Sequence, residues 1–168
     1  GLSASPHRED GNEDMIFALT GYPVGLNWKR YMDTVKRRYH PIYIHVVKYK
    51  QQKIRKVRDL INASKKTFIF SDSIELGKQM SNQSEVPFVY GDTENRYDLI
   101  QNNKVIVISR VGDLGVSVDN LQRIIEVDFL YGSRQQELQR TGRLMHSLRA
   151  ERHDIIMTES EFDSYGKR

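Results

Sequence analysis

With 168 residues, 38% of them hydrophobic and 29% charged, the chain is long enough for one domain with its own core and too apolar to be disordered. No apolar run approaches the roughly 18–20 residues of a membrane span. The segment Gly1 to Asp10 lacks the apolar centre of a signal peptide, and the absence of cysteine excludes disulfides and thiolate metal sites. The net charge of +4 is unevenly spread: Lys29 to Arg58 hold eleven Lys/Arg against Asp33 alone, a local +10, so the remaining residues carry −6. A solvated basic face and a track for a phosphate backbone both fit that run.

In chain order, residues 1–14 read as irregular, with Pro6, Gly11 and several charges, and Gly21, Pro23 and Gly25 break up the next stretch. Asn27 to Arg38 can form a short helix with Trp28, Tyr31 and Val35 on its inner face. Ile42 to Val47, β-branched and aromatic, predicts a strand, and Lys50 to Asn62, with Ile54, Val57 and Ile61 at helical spacing, predicts a helix. The alternation then repeats. Strands are expected at Thr67–Phe70, Pro87–Tyr90, Val105–Ile108, Arg123–Val127 and Asp154–Met157. Helices are expected at Ser73–Ser81 with Ser73 as N-cap, at Glu94–Gln101, and at Ser133–His146 with Ser133 and Gln136 in a capping box. Short, nearly all-apolar strands between helices imply a mostly parallel α/β sheet with helices on both faces. Ligands bind such sheets at the carboxyl ends of the strands, which selects the loops after Phe70, Tyr90, Ile108 and Val127.

The most informative segment is Gln139-Arg140-Thr141-Gly142-Arg143. On a helix, Gln139, Arg143 and His146 share a stripe, with Arg140 beside it. Arginine holds its charge when desolvated and offers a fixed fork of donors, which suits a multiply charged anion such as the γ-phosphate in phosphoryl transfer. From spacing alone, an Arg-rich surface helix paired with Glu137 and Glu151 is the better reading. After the fourth strand, Ser109-Arg110-Val111-Gly112-Asp113-Leu114-Gly115 places two glycines where backbone can approach a phosphate, although a plain turn explains them as well. No segment matches the phosphate-cradling pattern G-x-x-x-x-G-K-[ST], and no Asp-Glu pair ends a strand to hold Mg²⁺. The chain by itself is therefore not expected to hydrolyse ATP. His40, His45, His146 and His153 lack metal-ligand spacing, and no metal site is expected.

Taken in order, these motifs resemble the second RecA-like lobe of superfamily 2 helicases. Gly1-Leu2-Ser3-Ala4-Ser5-Pro6 is similar to motif III, Phe68-Ile69-Phe70-Ser71-Asp72 to motif IV, and Tyr90-Gly91 with Arg96 to the following "G…R" helix. Ser109 to Ser117 resembles motif V, and Gln139 to Arg143 resembles motif VI. Arg8-Glu9-Asp10, Val111-Gly112-Asp113 and Gly132-Ser133-Arg134-Gln135-Gln136-Glu137 narrow the resemblance to the XPB family of repair and transcription helicases, of archaeal type.

That resemblance implies a three-layer RecA-like fold and a 3′–5′ DNA helicase or translocase that binds ATP with Mg²⁺ mainly through a first lobe. Residues 1–26 would be the end of motif III and an interlobe connector, and residues 27–168 the second lobe. Because the chain starts at Gly1 within the motif III stretch and not at Met, it is expected to be part of a longer protein. By motif match, Arg143 would be an arginine finger, with Gln139 and Arg140 in support and Gly112, Asp113 and His146 near the nucleotide. Ser71, Ser73, Arg96, Ser109 and Arg110 would contact DNA, and Arg8, Glu9 and Asp10 would act in strand separation or lobe coupling. DNA, the chain's own N-terminal lobe and a repair nuclease are the implied partners, no membrane is involved, and the compartment is cytoplasmic in an archaeon or nuclear in a eukaryote. Three positions depart from the family pattern. The last motif VI arginine is His146, the motif V acid is Ser117, and only Lys48 to Lys53 separate Val47 from Ile54, which leaves no room for the family's thumb-like insertion. The alternative is a non-enzymatic nucleic-acid- or protein-binding module on the same fold, and a small nucleotide-binding enzyme is a third reading.

Overall fold

The computed structural model describes residues 41–109, 118, 120–128 and 149–165. Within them lie six strands and four helices. The strands are β1 (Ile42–Val47), β2 (Thr67–Phe70), β3 (Phe88–Val89), β4 (Val105–Ile108), β5 (Arg123–Glu126) and β6 (Arg152–Thr158). The helices are α1 (Lys50–Leu60), α2 (Ile74–Ser84), α3 (Arg96–Asn102) and α4 (Glu159–Tyr165). The strands form one sheet in the order β1-β6-β5-β2-β4-β3, and every neighbouring pair is parallel. The proposed boundary at residues 26 and 27, the Asn27–Arg38 helix and the Ser133–His146 helix lie outside the described residues.

Side chains alternate across the sheet with the period of two that a strand imposes. Ile69, Val107, Ile125 and Ile156 face Ile54 and Val57 of α1 and Leu76 and Met80 of α2. Phe68, Phe70, Ile106, Ile108 and Ile124 pack on the opposite face with Ile100 of α3 and Leu121. The helix ends follow local chemistry. Gln52 reaches back to accept from the backbone N–H of Lys48 (2.9 Å) and Tyr49 (3.2 Å), starting α1 two residues after β1, so no insertion separates them. Ser73 caps α2 by accepting from the Leu76 N–H at 3.2 Å. Glu85 ends that helix in the left-handed region at φ 55°. Asn95, also left-handed at φ 52°, moves the start of α3 from the expected Glu94 to Arg96. The far end of α3 is capped by the Lys66 ammonium, which donates to the carbonyls of Ile100, Gln101 (3.1 Å) and Asn103. Gly77 sits mid-helix because a Cβ there would lie 2.4 Å from Cζ of Phe88.

Three features differ from the sequence reading. First, β1 is an edge strand paired only with β6, and Ile42, Ile44 and Val46 are about half exposed, so burial on both faces does not extend to it. Second, β6 starts at Arg152, not Asp154, because its polar head finds partners. Asp154 is 1% exposed and is bound by His45 Nε2 of β1 at 2.7 Å and by Arg152 Nε at 2.7 Å, while Arg152 stacks on Tyr43. His153 Nε2 meets Glu126 Oε1 at 2.8 Å, both buried. Third, α4 follows directly. Thr158 and Glu161 cap it reciprocally, with the Thr158 N–H donating to Glu161 Oε2 at 2.7 Å and the Glu161 N–H donating to Thr158 Oγ1 at 3.3 Å. This is the T-x-x-E signature of a capping box, present in the sequence at Thr158-Glu159-Ser160-Glu161.

Lys53, with no exposed surface, ties these layers together. Its ammonium donates to the Val127 carbonyl at 2.7 Å and pairs with Glu161 Oε2 at 2.7 Å, joining α1, the end of β5 and α4. Removing one partner of a buried pair leaves the others unsatisfied. Lys53→Met should lower unfolding free energy by about 2–3 kcal/mol, at or just below the roughly 3–5 kcal/mol for fully buried pairs because Glu161 keeps some solvent. A urea melt with unchanged m-value reads this, and a loss under about 0.5 kcal/mol would contradict it.

Glu151 makes a second staple, accepting from Lys65, Gln122 Nε2 (3.1 Å) and Arg123 Nε (3.3 Å). It thus joins the approach to β2, the start of β5 and the start of β6. The Lys65 hydrogen bond, with Arg123 in support, holds its carboxyl below the usual glutamate range. A depressed carboxylate pKa contributes stability above the unfolded-state value and loses it as pH falls through the folded value. Glu151→Gln should therefore cost about 0.5–1 kcal/mol at neutral pH, and the gap to the parent should close as pH drops below the ordinary carboxylate range. Parallel thermal melts across that range test the sign.

Candidate functional site

Because every strand pairing is parallel, the loops leaving β2, β3, β4 and β5 all emerge at one edge of the sheet. Backbone bonds carry the pairing into those loops. The Val127 N–H donates to the Phe70 carbonyl (3.0 Å), Ser71 to Ile108 (3.0 Å) and Ser109 to Val89 (2.9 Å). Ser71 and Ser109 are thereby set on adjacent chains. Both are buried, at 0% and 2% exposure, while Ser73 is half-buried.

Asp128, the residue just after the buried run Ile124–Val127, organises the edge. Its Oδ2 accepts from the Ser73 N–H at 3.0 Å and lies 3.1 Å from the Ser71 hydroxyl, which also lies 3.1 Å from the Ser73 carbonyl. A carboxylate is the stronger acceptor for the one hydroxyl hydrogen. The Ser71 hydroxyl is therefore directed to Asp128 inside the loop, and Ser71 has no exposed surface. Ser73 differs. Its oxygen accepts from Leu76 N–H, and its own hydrogen has no acceptor among the described residues. The Ser109 hydroxyl is buried with no hydrogen-bond partner. It sits at the start of the glycine-containing segment.

Arg96 opens α3 on the same edge, exposed, and bonds to none of these serines. Arg8, Glu9, Asp10, Arg110, Gly112, Asp113, Gln139, Arg140, Arg143 and His146 lie outside the described residues. Glu151, considered above as a partner for the Arg-rich helix, is used by Lys65 and Arg123. Among the described residues, no group of three His, Asp or Glu is placed to hold a metal ion, and His45 and His153 are each paired with an acid. No helix among them is long and apolar enough to cross a membrane.

Asp128 was not singled out from the sequence. The available signal was an acid directly after a buried apolar strand, facing Ser-x-Ser after the neighbouring strand, but strand adjacency is a property of the folded sheet. Asp128→Ala should release the loop, with a stability loss of about 1–2 kcal/mol for the unpaired buried donors. Hydrogen exchange at the amides of Ser73 to Leu76 should accelerate while β4 is unaffected. Unchanged exchange there would remove Asp128 from this role.

Comparison with known proteins adds the family. The sequence model of the ERCC3/RAD25/XPB C-terminal helicase matches residues 14–165. A putative DNA 3′-5′ helicase Rad25 of Haloarcula marismortui is 27% identical over 94% of this chain, which corresponds to 31% of that protein. The general transcription and DNA repair factor IIH helicase/translocase subunit XPB/SSL2 of Saccharomyces cerevisiae is 32% identical over 50% of this chain and 11% of its own length. The chain thus spans about a third or less of these relatives. In fold it is similar to the Escherichia coli DEAD-box protein SrmB, with a TM-score of 0.63 at 15% identity, covering 79% of this chain and 85% of that one. The C-terminal domain of the DEAD-box protein Dbp5 aligns with a TM-score of 0.62 at 14% identity over 74% and 79%. These structures establish a RecA-like helicase C-terminal fold.

Proposed function

The chain belongs to the ERCC3/RAD25/XPB C-terminal helicase family, and from that premise we propose that it is the second motor lobe of an ATP-dependent 3′–5′ DNA helicase or translocase. The family match across residues 14–165 carries this reading. The carboxyl edge supports it, since it gathers the loops from which such a lobe would touch its ligands. ATP with Mg²⁺ would be held mainly by a first lobe, because this chain has neither a phosphate-cradling loop nor an Asp-Glu pair at a strand end.

In this reading, Arg143 stabilises the charge that develops on the transferred phosphoryl group, and Gln139 and Arg140 support the nucleotide. Gly112 and Asp113 lie by the nucleotide, where His146 replaces an arginine and contributes charge only when protonated. Ser73, with its uncommitted hydroxyl hydrogen, is the DNA contact best supported at the described edge. Ser109, Arg110 and Arg96 extend that contact, and Ser71 acts by holding Ser73. Arg8, Glu9 and Asp10 act in strand separation or lobe coupling. The work is DNA repair, with a repair nuclease as a candidate partner, in the compartment that holds the DNA.

The test joins this lobe to its first lobe and replaces Arg143 with Ala. DNA-stimulated kcat for ATP hydrolysis should fall on the order of 10³-fold, as for other arginine fingers, with DNA affinity little changed. The lobe alone should hydrolyse no ATP. Stimulated hydrolysis that survives in the variant would remove the finger assignment.

A further inference from the structure

Five cations at or just before α1 have no ion pair among the described residues. Lys48 precedes α1, and Lys50, Arg55, Lys56 and Arg58 lie on it. None of the five has an ion-pair partner among the described residues. Several described cations elsewhere are used, although Arg96 and Lys104 are likewise without an ion-pair partner among the described residues. Lys53 pairs with Glu161, Lys65 and Arg123 with Glu151, and Arg152 with Asp154. Lys66 caps a helix, and Lys78 lies over the Tyr90 ring.

Helix stability does not account for this pattern. The first turn of α1 has no acid and carries Lys50, where the helix dipole disfavours a cation. Arg55 and Asp59 are four residues apart, yet they form no ion pair. The exposed positions are Lys50, Gln51, Gln52, Arg55, Arg58 and Asp59, with no apolar side chain among them. The exposed aromatic beside the cluster, Tyr49, precedes the helix, so a protein partner would find no apolar anchor on the helix face itself. A polyanion needs only charge and hydrogen-bond donors.

Position is the second observation. Gln51, Arg55 and Arg58 recur at spacings of four and three, which places them on one flank of α1. Gln51, at the head of that flank, and Lys50 line a groove of about 220 Å³ between α1 and α2, and Arg55 and Arg58 continue the flank along the helix beyond it. Lys50, Gln51 and Ile54 form one wall, and Ser73, Glu75 and Gln79 form the other. The groove therefore joins Ser73, at the carboxyl edge, to the head of α1 at Lys50 and Gln51, from which Arg55 and Arg58 follow at helical spacing. Glu75 repels phosphate from the α2 wall, so a backbone in this groove sits against α1.

We infer that the flank of α1 formed by Lys50, Arg55 and Arg58 is a nucleic-acid backbone track that continues the DNA path from Ser73. This rests on the lobe binding DNA as proposed above. It supplies grip at the place where no insertion separates β1 from α1.

The test uses the full-length protein containing this lobe and a fluorescent duplex with a 3′ single-stranded tail. Arg55→Glu and Arg58→Glu are compared with Lys104→Glu, an exposed residue just before β4 on the opposite edge, which changes net charge equally. Each α1 reversal should raise the Kd on the order of tenfold and lower the slope of log K against log salt by about 1, because one phosphate contact is lost. Lys104→Glu should stay within twofold, and all three variants should melt with the parent. Unchanged affinity in the α1 variants overturns the track and leaves the lobe assignment standing, and so does the same affinity with loss of a co-purifying protein. Equal weakening by Lys104→Glu reduces the effect to net charge and also overturns it. Failure of the parent protein to bind DNA overturns both readings.

Discussion

The parallel register of β6, β5, β2, β4 and β3 is the constraint on which the rest depends. A parallel pair cannot be closed by a hairpin, so each connection must cross over and return, and helices come to cover the sheet. The same register brings the end of every strand to one edge. Residues far apart in sequence thereby become neighbours, such as Ser71, Ser109 and Asp128. Backbone bonds between Phe70 and Val127 and between Ser71 and Ile108 fix their spacing before any side chain acts.

Polar groups buried in this frame are joined in pairs. Asp154 receives His45 and Arg152, Glu126 meets His153, and Lys53 serves both Val127 and Glu161. Burial of such groups is costly without a partner, and these pairs offset most of that cost, with His153 Nδ1 and the Ser109 hydroxyl left unmatched. Each pair also joins elements that hydrophobic contact alone would hold loosely. Asp154 binds the exposed edge strand β1 to β6, and Lys53 binds the terminal helix to the centre. Asp128 does the same for the loop after β2, so the position of Ser73 depends on a strand that follows it by more than fifty residues.

Electrostatic pairing elsewhere makes α1 distinct. The net charge of +4 understates the asymmetry, since Lys53, Lys65, Arg123 and Arg152 are paired with acids while the exposed cations of this helix have no ion pair among the described residues. A field left uncompensated on one face acts at the range of the Debye length, about 8–10 Å at physiological salt. That range covers the groove and the edge where Ser73 sits. An anionic ligand is therefore drawn to the side of the lobe from which the candidate contacts project.

Alternation of apolar strands with periodic helices was enough to predict an α/β parallel sheet, because strand and helix periods are local properties of the chain. Ordered motifs were likewise enough to indicate the family, since they are read residue by residue. Local reading also placed Ser73 as a cap and showed that nothing is inserted between β1 and α1. It missed α4, although the Thr158–Glu161 capping signal was present, because the segment follows its strand with no intervening turn residue to mark a boundary. Which strand lies at an edge, that Ser71 is enclosed while Ser73 keeps a free hydrogen, and that Asp128 joins them were decided only by the tertiary structure. The reason is physical: exposure and hydrogen-bond partnership depend on contacts between residues distant in sequence, and no local pattern encodes which strands become neighbours.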